Sequence, residues 1–372
     1  MTKVGITGQS GFIGNHIYNT LNLYPNDFNI IPFEKSFFDD PAKLDIFVKN
    51  CDVIIHLAAL NRHDDLEVLY LVNLRLTQKL LDSLERTKSK PHVIISSSTQ
   101  EDLDNCYGKS KKYGRELLEK WSNLVGATFT GLIIPNVFGP FCKPYYNSVI
   151  STFSYQLLND EVPRILVNAE IQLIYISELV DEILKFINSK VNISRLIVSP
   201  TKKIKVEDLL YLLSSFKDIY IEKGEIPYFN SNFELNLFNT FRSYINFKNF
   251  YPIKCKQNID TRGSFVEIIK LGINGQVSFS TTYPGITRGN HFHTRKIERF
   301  IVIKGQALIQ IRKIGTNEVL NFYIDGNEPS YIDIPIWYTH NLKNIGEEIL
   351  YTNFWINEVF IQNDADTYFE DV

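Results

Sequence analysis

Over its first half the chain alternates short apolar runs with longer stretches in which apolar residues recur every three or four positions. Val4–Thr7, Phe28–Phe33, Val53–Leu57, His92–Ser96 and Phe129–Ile134 are runs of the first kind and predict strands, whereas Asn73–Arg86 and Lys109–Asn123 predict helices. This alternation, sustained to about residue 190, predicts an α/β, doubly wound parallel sheet covered on both faces. Gly126 breaks the chain between the last of these helices and the strand after it. From about residue 190 to 250 the pattern is less regular. The earlier part reads as a small subdomain covering the substrate, and the later part, Phe229–Tyr251, rich in Asn, Phe and Tyr without a clear period, as a connector. Beyond Ile253 β-branched and aromatic runs are separated by Gly, Asn and Asp. Ser264–Lys270, Gln276–Thr282, Arg299–Lys304, Gln306–Ile311, Val319–Ile324 and Ile349–Ile356 predict an all-β sandwich or jelly roll. The expected domains are therefore residues 1–245 and 254–372.

Composition narrows the function classes. The 372 residues suit two domains at roughly 100–200 residues each. A net charge of −3 leaves no electrostatic footprint for a nucleic acid. No run of about 18 apolar residues occurs, so no membrane-spanning helix is expected. The chain enters a strand at Lys3-Val4, which leaves no room for a signal peptide, and a cytoplasmic location is expected. Cys51, Cys106, Cys142 and Cys255 lack the spacing of a zinc or redox motif and read as free thiols.

The first chemical constellation is Gly8-Gln9-Ser10-Gly11-Phe12-Ile13-Gly14, which follows the first strand and opens a helix. Glycines so placed permit the tight turn, the close approach of a pyrophosphate and the packing of helix on strand. The diphosphate then meets the helix N-terminus. Such a turn alone is as often an ordinary loop, but two features accompany it. Leu57-Ala58-Ala59 ends a later strand with small residues, leaving space for a ribose or flat ring, and Tyr107 and Lys111 lie four apart, on one face of a helix. A lysine ammonium near a phenol is expected to lower the tyrosine pKa toward the working pH, for proton exchange with a sugar oxygen during hydride transfer.

On these residues the chain resembles the extended short-chain dehydrogenase/reductase family over about residues 1–240. The resemblance implies a catalytic hydroxyl within Ser96-Ser97-Ser98-Thr99, with Ser98 favoured and Ser97 and Thr99 competing. It also implies a loop at Pro135–Pro140 that contacts cofactor and substrate, making Asn136 a substrate-binding candidate. Two departures stand out. Ser98 and Tyr107 are only nine positions apart, so the loop over the substrate should be short and the site open. Where the family's dehydratases carry Asp-Glu just after the catalytic Thr, this chain has Thr99-Gln100, without the acid and base for removing water, which favours plain reduction or oxidation. At the end of the second strand Glu34 would suit NAD and Lys35 the 2′-phosphate of NADP; NADPH is expected, chiefly from the closer resemblance below.

The second constellation lies in the β-rich third. Only three histidines follow Ile253: His291 and His293, two apart and so on one side of a strand, and His340. With Glu298 they supply three imidazoles and a carboxylate, a set suited to Zn²⁺, Fe²⁺, Mn²⁺ or Ni²⁺, with zinc expected. These spacings resemble both signature motifs of the cupin family, with Trp337 standing where a glycine is usual, a change expected to narrow the barrel mouth. Asp260-Thr-Arg262-Gly263-Ser-Phe-Val-Glu267 is similar to the entry segment of nucleotide-sugar 3,5-epimerase cupins.

The pairing of the two domains, with Lys143–Ile150 and Asp366–Phe369, resembles the CapF-type capsular-polysaccharide enzymes over nearly the whole chain. That likeness implies a homodimeric, bifunctional enzyme acting on a UDP-2-acetamido-2,6-dideoxy-4-hexulose. A C4 ketone acidifies the C3 proton, a metal stabilises the resulting charge, and hydride then reduces C4. Lys304, Tyr338 and Asp333 lie near the motifs as candidate bases for C3. Two other readings fit the same residues: a reductase whose cupin is only structural, and a non-catalytic sensor of the nicotinamide pool.

Overall fold

The computed structural model describes residues 1–189, 191–255, 257–260, 263–266, 269, 275–358 and 361–372. It forms two compact units, one of residues 1–152 and 165–207, the other of residues 153–164 and 208–372. The helices are α1 (Phe12–Asn22), α2 (Pro41–Lys49), α3 (Leu66–Thr87), α4 (Cys106–Val125), α5 (Val149–Leu158), α6 (Ile176–Ile187), α7 (Val206–Phe216), α8 (Asn232–Arg242) and α9 (Phe247–Phe250). Among the described residues no helix is long and apolar enough to cross a membrane.

The first unit holds strands β1 (Thr2–Thr7), β2 (Phe28–Ile31), β3 (Val53–His56), β4 (His92–Ser98), β5 (Phe129–Ile134), β6 (Asn136–Phe138), β7 (Glu170–Tyr175), β8 (Ile193–Ile197) and β9 (Lys202–Lys205). Six of them form a parallel, Rossmann-like sheet in the order β2-β1-β3-β4-β5-β8. β3 and β5 are buried along their whole length, which explains why they read as unbroken apolar runs. Phe47, Leu80, Val93, Ile95, Leu118 and Phe129 pack together in the core of this unit, each burial stabilising by roughly 1.5–3 kcal/mol. α3 starts earlier than the periodicity indicates. Asp65 caps it, accepting from the Glu67 and Val68 amides at 2.8 and 3.2 Å, while Leu66, Val68 and Leu71 are exposed and mark no buried face. The chain passes from β1 to β2 on one side and then crosses to β3 on the other side of β1. This is a topological switch point, and the crevice beyond the carboxyl ends of β1 and β3 is where such sheets take ligands.

The second unit holds β10 (Ile253–Lys254), β11 (Gln257–Asp260), β12 (Gly263–Val266), β13 (Gln276–Thr282), β14 (Thr287–Phe292), β15 (Glu298–Lys304), β16 (Gln306–Lys313), β17 (Val319–Asp325), β18 (Ser330–Ile334), β19 (Tyr338–Asn344), β20 (Leu350–Ile356) and β21 (Tyr368–Phe369). They make two antiparallel five-stranded sheets, β10-β18-β15-β20-β13 and β17-β16-β19-β14-β21, and a β11-β12 hairpin. Of the Asp260–Glu267 segment, Arg262 and Glu267 lie outside the described residues, as does much of the expected strand Ser264–Lys270 beyond Val266.

The stretch read as a connector contains α8, capped by Ser231, which accepts from the Glu234 amide at 3.3 Å. Residues 237–242 are all buried, so this helix has no single apolar stripe to give a period. Arg242, at its end, lies over the Tyr220 ring, 5.5 Å from its centre. Tyr220 donates its hydroxyl to Asp333 and meets the Tyr251 hydroxyl at 2.8 Å. Asp333 is itself held by Arg299 through two bonds of 2.7 and 3.0 Å. Helices and sheets of this unit thus share a buried, charged core.

Candidate functional site

At the switch point Gly8 takes φ +78°, and a Cβ there would stand 2.8 Å from the Ala58 amide nitrogen. A Cβ on Gly14 would stand 2.3 Å from the Gly8 carbonyl oxygen, so helix and turn touch only because both residues are glycine. The Gly11 amide donates to the Gly8 carbonyl at 2.9 Å. No side chain caps α1, leaving the Phe12-Ile13-Gly14 end presented to an anion beside exposed Ser10. Thr7 locks the two strand ends, meeting His56 Nδ1 at 2.7 Å and accepting from the Ala58 amide at 3.4 Å. Leu57, Ala58 and Ala59 are half-buried along the same edge, while Glu34 and Lys35 stand exposed beyond β2.

Ser98 ends β4 and accepts from the Gln100 amide at 3.2 Å. Ser97 points the other way and donates to buried Glu101 at 2.5 Å, a carboxylate also held by Arg115 at 3.1 Å and Arg195 at 2.8 Å. Tyr107 and Lys111 lie one turn apart at the start of α4, but their polar ends go to different partners. The Tyr107 hydroxyl donates to Asn61 Oδ1 at 3.2 Å, and Lys111 Nζ donates to Ser96 Oγ at 3.2 Å. Burial, then the neighbouring Tyr146, push the Tyr107 phenol up to about 12, and burial brings Lys111 down to about 8 against the pull of Glu101. This differs from the expected lowering of the tyrosine, because desolvation outweighs a lysine that is bonded elsewhere. Asn136 is exposed at the start of β6. Asn61 and Tyr146 carry no spacing signal in the sequence; the Asn61 main-chain amide donates to the Tyr146 hydroxyl at 3.4 Å.

In the second unit both sheets contribute to one cluster. His291 in β14 lies opposite His340 in β19, with a bulge at Asn290 between them and Gly289. His293 follows β14, and Glu298 opens β15. One ligand atom from each of His291, His293, Glu298 and His340 lies within 4.8 Å of all the others. Glu298 Oε2 is 3.0 Å from His293 Nε2 and 3.1 Å from His340 Nε2. All three atoms are buried, and none has a well-aligned hydrogen bond. Burial works to raise Glu298, yet the two imidazoles overcome it and hold the carboxyl well below its usual range. Burial lowers His291 to about 4, keeping it neutral. Buried, convergent and poorly bonded donors of this kind fit a divalent cation.

The three candidate bases fall elsewhere. Arg299 and Asp333 are register partners one position out of phase with Glu298, so they face away from it. Lys304 is exposed and pairs with Glu348 at 3.3 Å. Tyr338 lies against Phe247 at 5.4 Å, its hydroxyl raised to about 12 by burial and then by Glu318. Trp337 adopts φ +60°, the left-handed conformation that a glycine would take freely, and stacks on Phe292 at 5.5 Å.

Comparison with known proteins places this architecture. The model of the NAD dependent epimerase/dehydratase family matches residues 4–197, and that of the polysaccharide biosynthesis C-terminal domain matches residues 258–368. The chain belongs to the NAD dependent epimerase/dehydratase family. It is 31% identical over 370 residues to the UDP-2-acetamido-2,6-beta-L-arabino-hexul-4-ose reductase of Pseudomonas aeruginosa, covering 98% of each chain. In structure it matches the capsular polysaccharide assembling protein CapF from Staphylococcus aureus with a TM-score of 0.63 and 34% identity, over 100% of both chains. Within its family it is therefore of the CapF type. A likeness of fold alone extends to RMD from Pseudomonas aeruginosa, solved with NADPH, at 18% identity over 59% of this chain and 84% of that one, with a TM-score of 0.53.

Proposed function

We propose that the chain is a bifunctional nucleotide-sugar enzyme of surface-polysaccharide synthesis. A cupin jelly roll in the second unit epimerises C3 of a UDP-2-acetamido-2,6-dideoxy-hexos-4-ulose, and the first unit reduces the C4 ketone with NADPH. The product is UDP-2-acetamido-2,6-dideoxy-L-talose, on the route to UDP-N-acetyl-L-fucosamine. The observation that carries this reading is the convergence of His291, His293, Glu298 and His340 in a chain that also bears a glycine-lined switch point beside Tyr107 and Lys111. The reductase of Pseudomonas aeruginosa, similar over nearly its whole length, supports the substrate class.

When bound, NADPH supplies hydride, and a divalent cation, zinc by preference, supplies Lewis acidity toward a ketone oxygen. The three imidazoles and Glu298 would hold that cation. Gly8, Gly11 and Gly14 would admit the pyrophosphate onto the α1 end with Ser10, Phe12 and Ile13, while Leu57, Ala58 and Ala59 would leave room for the ribose and Lys35 would meet the 2′-phosphate. Tyr107, protonated at neutral pH, donates its proton to the C4 oxygen. Ser98 would orient that oxygen together with Asn136 on the sugar, and Lys111, one turn along α4 and bonded to Ser96, is the cation assigned to the phenolate left behind.

The test is solvent-deuterium exchange at C3 measured beside NADPH oxidation. Tyr107→Phe abolishes oxidation and keeps exchange, whereas His291→Ala and His340→Ala lose exchange. Loss of both reactions in folded Tyr107→Phe protein contradicts two separate sites.

A further inference from the structure

We infer that Asp366 is a positioning residue of the cation centre, so that residues 364–370 form a clasp on which cation affinity depends. This rests on the metal reading of the His/Glu cluster. Between His293 and Glu298 the chain turns through residues 294–297, whose amides need acceptors. Asn357 Oδ1 accepts from the Ile297 amide at 2.9 Å, and Asp366 supplies the other three. Its carboxylate accepts from the amides of Thr294 at 3.1 and 3.3 Å, Arg295 at 3.0 Å and Lys296 at 3.2 Å, and from the Thr294 hydroxyl at 2.6 Å. Its main-chain carbonyl lies 2.5 Å from His293 Nδ1. An oxygen that only accepts places the proton on Nδ1, which turns the Nε2 lone pair toward Glu298. One residue thereby sets the tautomer of one ligand and the loop that spaces it from another.

The neighbouring residues extend the hold to the other ligands. Lys296 Nζ donates to the Ala365 carbonyl at 2.5 Å, and Arg295 pairs with Asp364 at 2.8 Å. β21 adds to the edge of β14, setting Phe369 opposite His291. The Thr339 hydroxyl, one residue before His340, donates to the Glu370 carbonyl. The buried Asp366 carboxylate takes its hydrogen bonds from the loop it organises. Its φ of 42° is a conformation that Asp, Asn and Gly tolerate best. Ligands held this way lose about 10–100-fold in metal affinity when the outer partner is removed.

The experiment uses the full chain and two variants that keep the left-handed backbone. Asp366→Asn keeps the main-chain carbonyl and the shape but removes the charge and one acceptor; Asp366→Gly removes the carboxylate entirely. Zn²⁺ affinity is measured by chelator competition and ligand geometry by the visible absorption of the Co²⁺ form, with circular dichroism and NADPH binding as checks on the fold. Zn²⁺ affinity is expected to fall about tenfold in Asp366→Asn and about 100-fold in Asp366→Gly, with a shifted Co²⁺ spectrum in both. A merely structural role would lower the melting temperature of metal-free protein and leave affinity and spectrum alone. Should Asp366→Gly not fold, Asp366→Asn decides. Variants within twofold of the parent, with the same spectrum, overturn the inference. A parent protein that takes up neither ion overturns the metal reading and this inference with it.

Discussion

Replacing Asp333 by Asn separates a structural ion from a catalytic base. Asp333 and Arg299 are both buried and joined by two charge-assisted bonds, with a second guanidinium, Arg242, near Tyr220 in the same core. Burial alone would raise the Asp333 carboxyl, but Arg299 holds it below its usual range. Removing one partner of a buried pair leaves the other charge uncompensated, at a cost of about 3–5 kcal/mol. For a unit of this size that corresponds to a melting temperature lower by roughly 6–20 °C. Replacing both partners together, Asp333→Leu with Arg299→Met, should recover most of the loss, because similar-sized apolar pairs often match or exceed a buried ion pair. The assay is thermal and denaturant unfolding at fixed metal concentration, since bound ligand shifts the midpoint, with C3 exchange measured on folded protein. An Asp333→Asn protein that melts like its parent and fails to exchange C3 would refute the structural role and restore Asp333 as the base.

The remaining predictions follow from the same geometry. Gly14→Ala puts a methyl 2.3 Å from the Gly8 carbonyl and should weaken NADPH binding at least tenfold, measured by fluorescence titration; unchanged affinity would move the cofactor away from this turn. His56 and His92 are held by burial at about 3 and about 4. Below about pH 6.5 the unfolded chain binds protons that the folded first unit refuses, so its stability should fall by about 1.4 kcal/mol per pH unit for each histidine until the folded pKa is reached. Urea unfolding at pH 7 and pH 5 checks this, and a flat profile contradicts it. Trp337→Gly relieves about 1 kcal/mol of backbone strain but removes a buried aromatic worth about 3–5 kcal/mol. The net should be destabilising, read from the denaturant midpoint, and a more stable variant would show that the stack on Phe292 contributes little.

What the sequence disclosed depended on which physical signal each residue carries. β3 and β5 are legible because both of their faces are apolar. β14 and β19 leave little trace in hydrophobicity, since His291, His340, Asn290 and Asn341 occupy them; the spacing of their ligands marks them instead. The Tyr107–Lys111 interval is local and readable. The partners Asn61 and Ser96, and the direction of the tyrosine's shift, arise from burial and from chain brought in from elsewhere, which no local pattern encodes. Asp366 stands 73 residues from the histidine it holds, and α8 is hidden because it is buried nearly all round.

Residues 198–257 lie between the two family matches, yet most of them fold with the sheets that carry the histidines. Anyone grafting those sheets onto a different parallel-sheet unit has to transplant residues 153–164 and 208–255 with them. Left behind, that stretch would strip the phenols of Tyr220 and Tyr251 from the Arg299–Asp333 pair and open the charged interior to water. Through this borrowed helical cover, recombination between relatives should tolerate a crossover near residue 207 far better than one near residue 250.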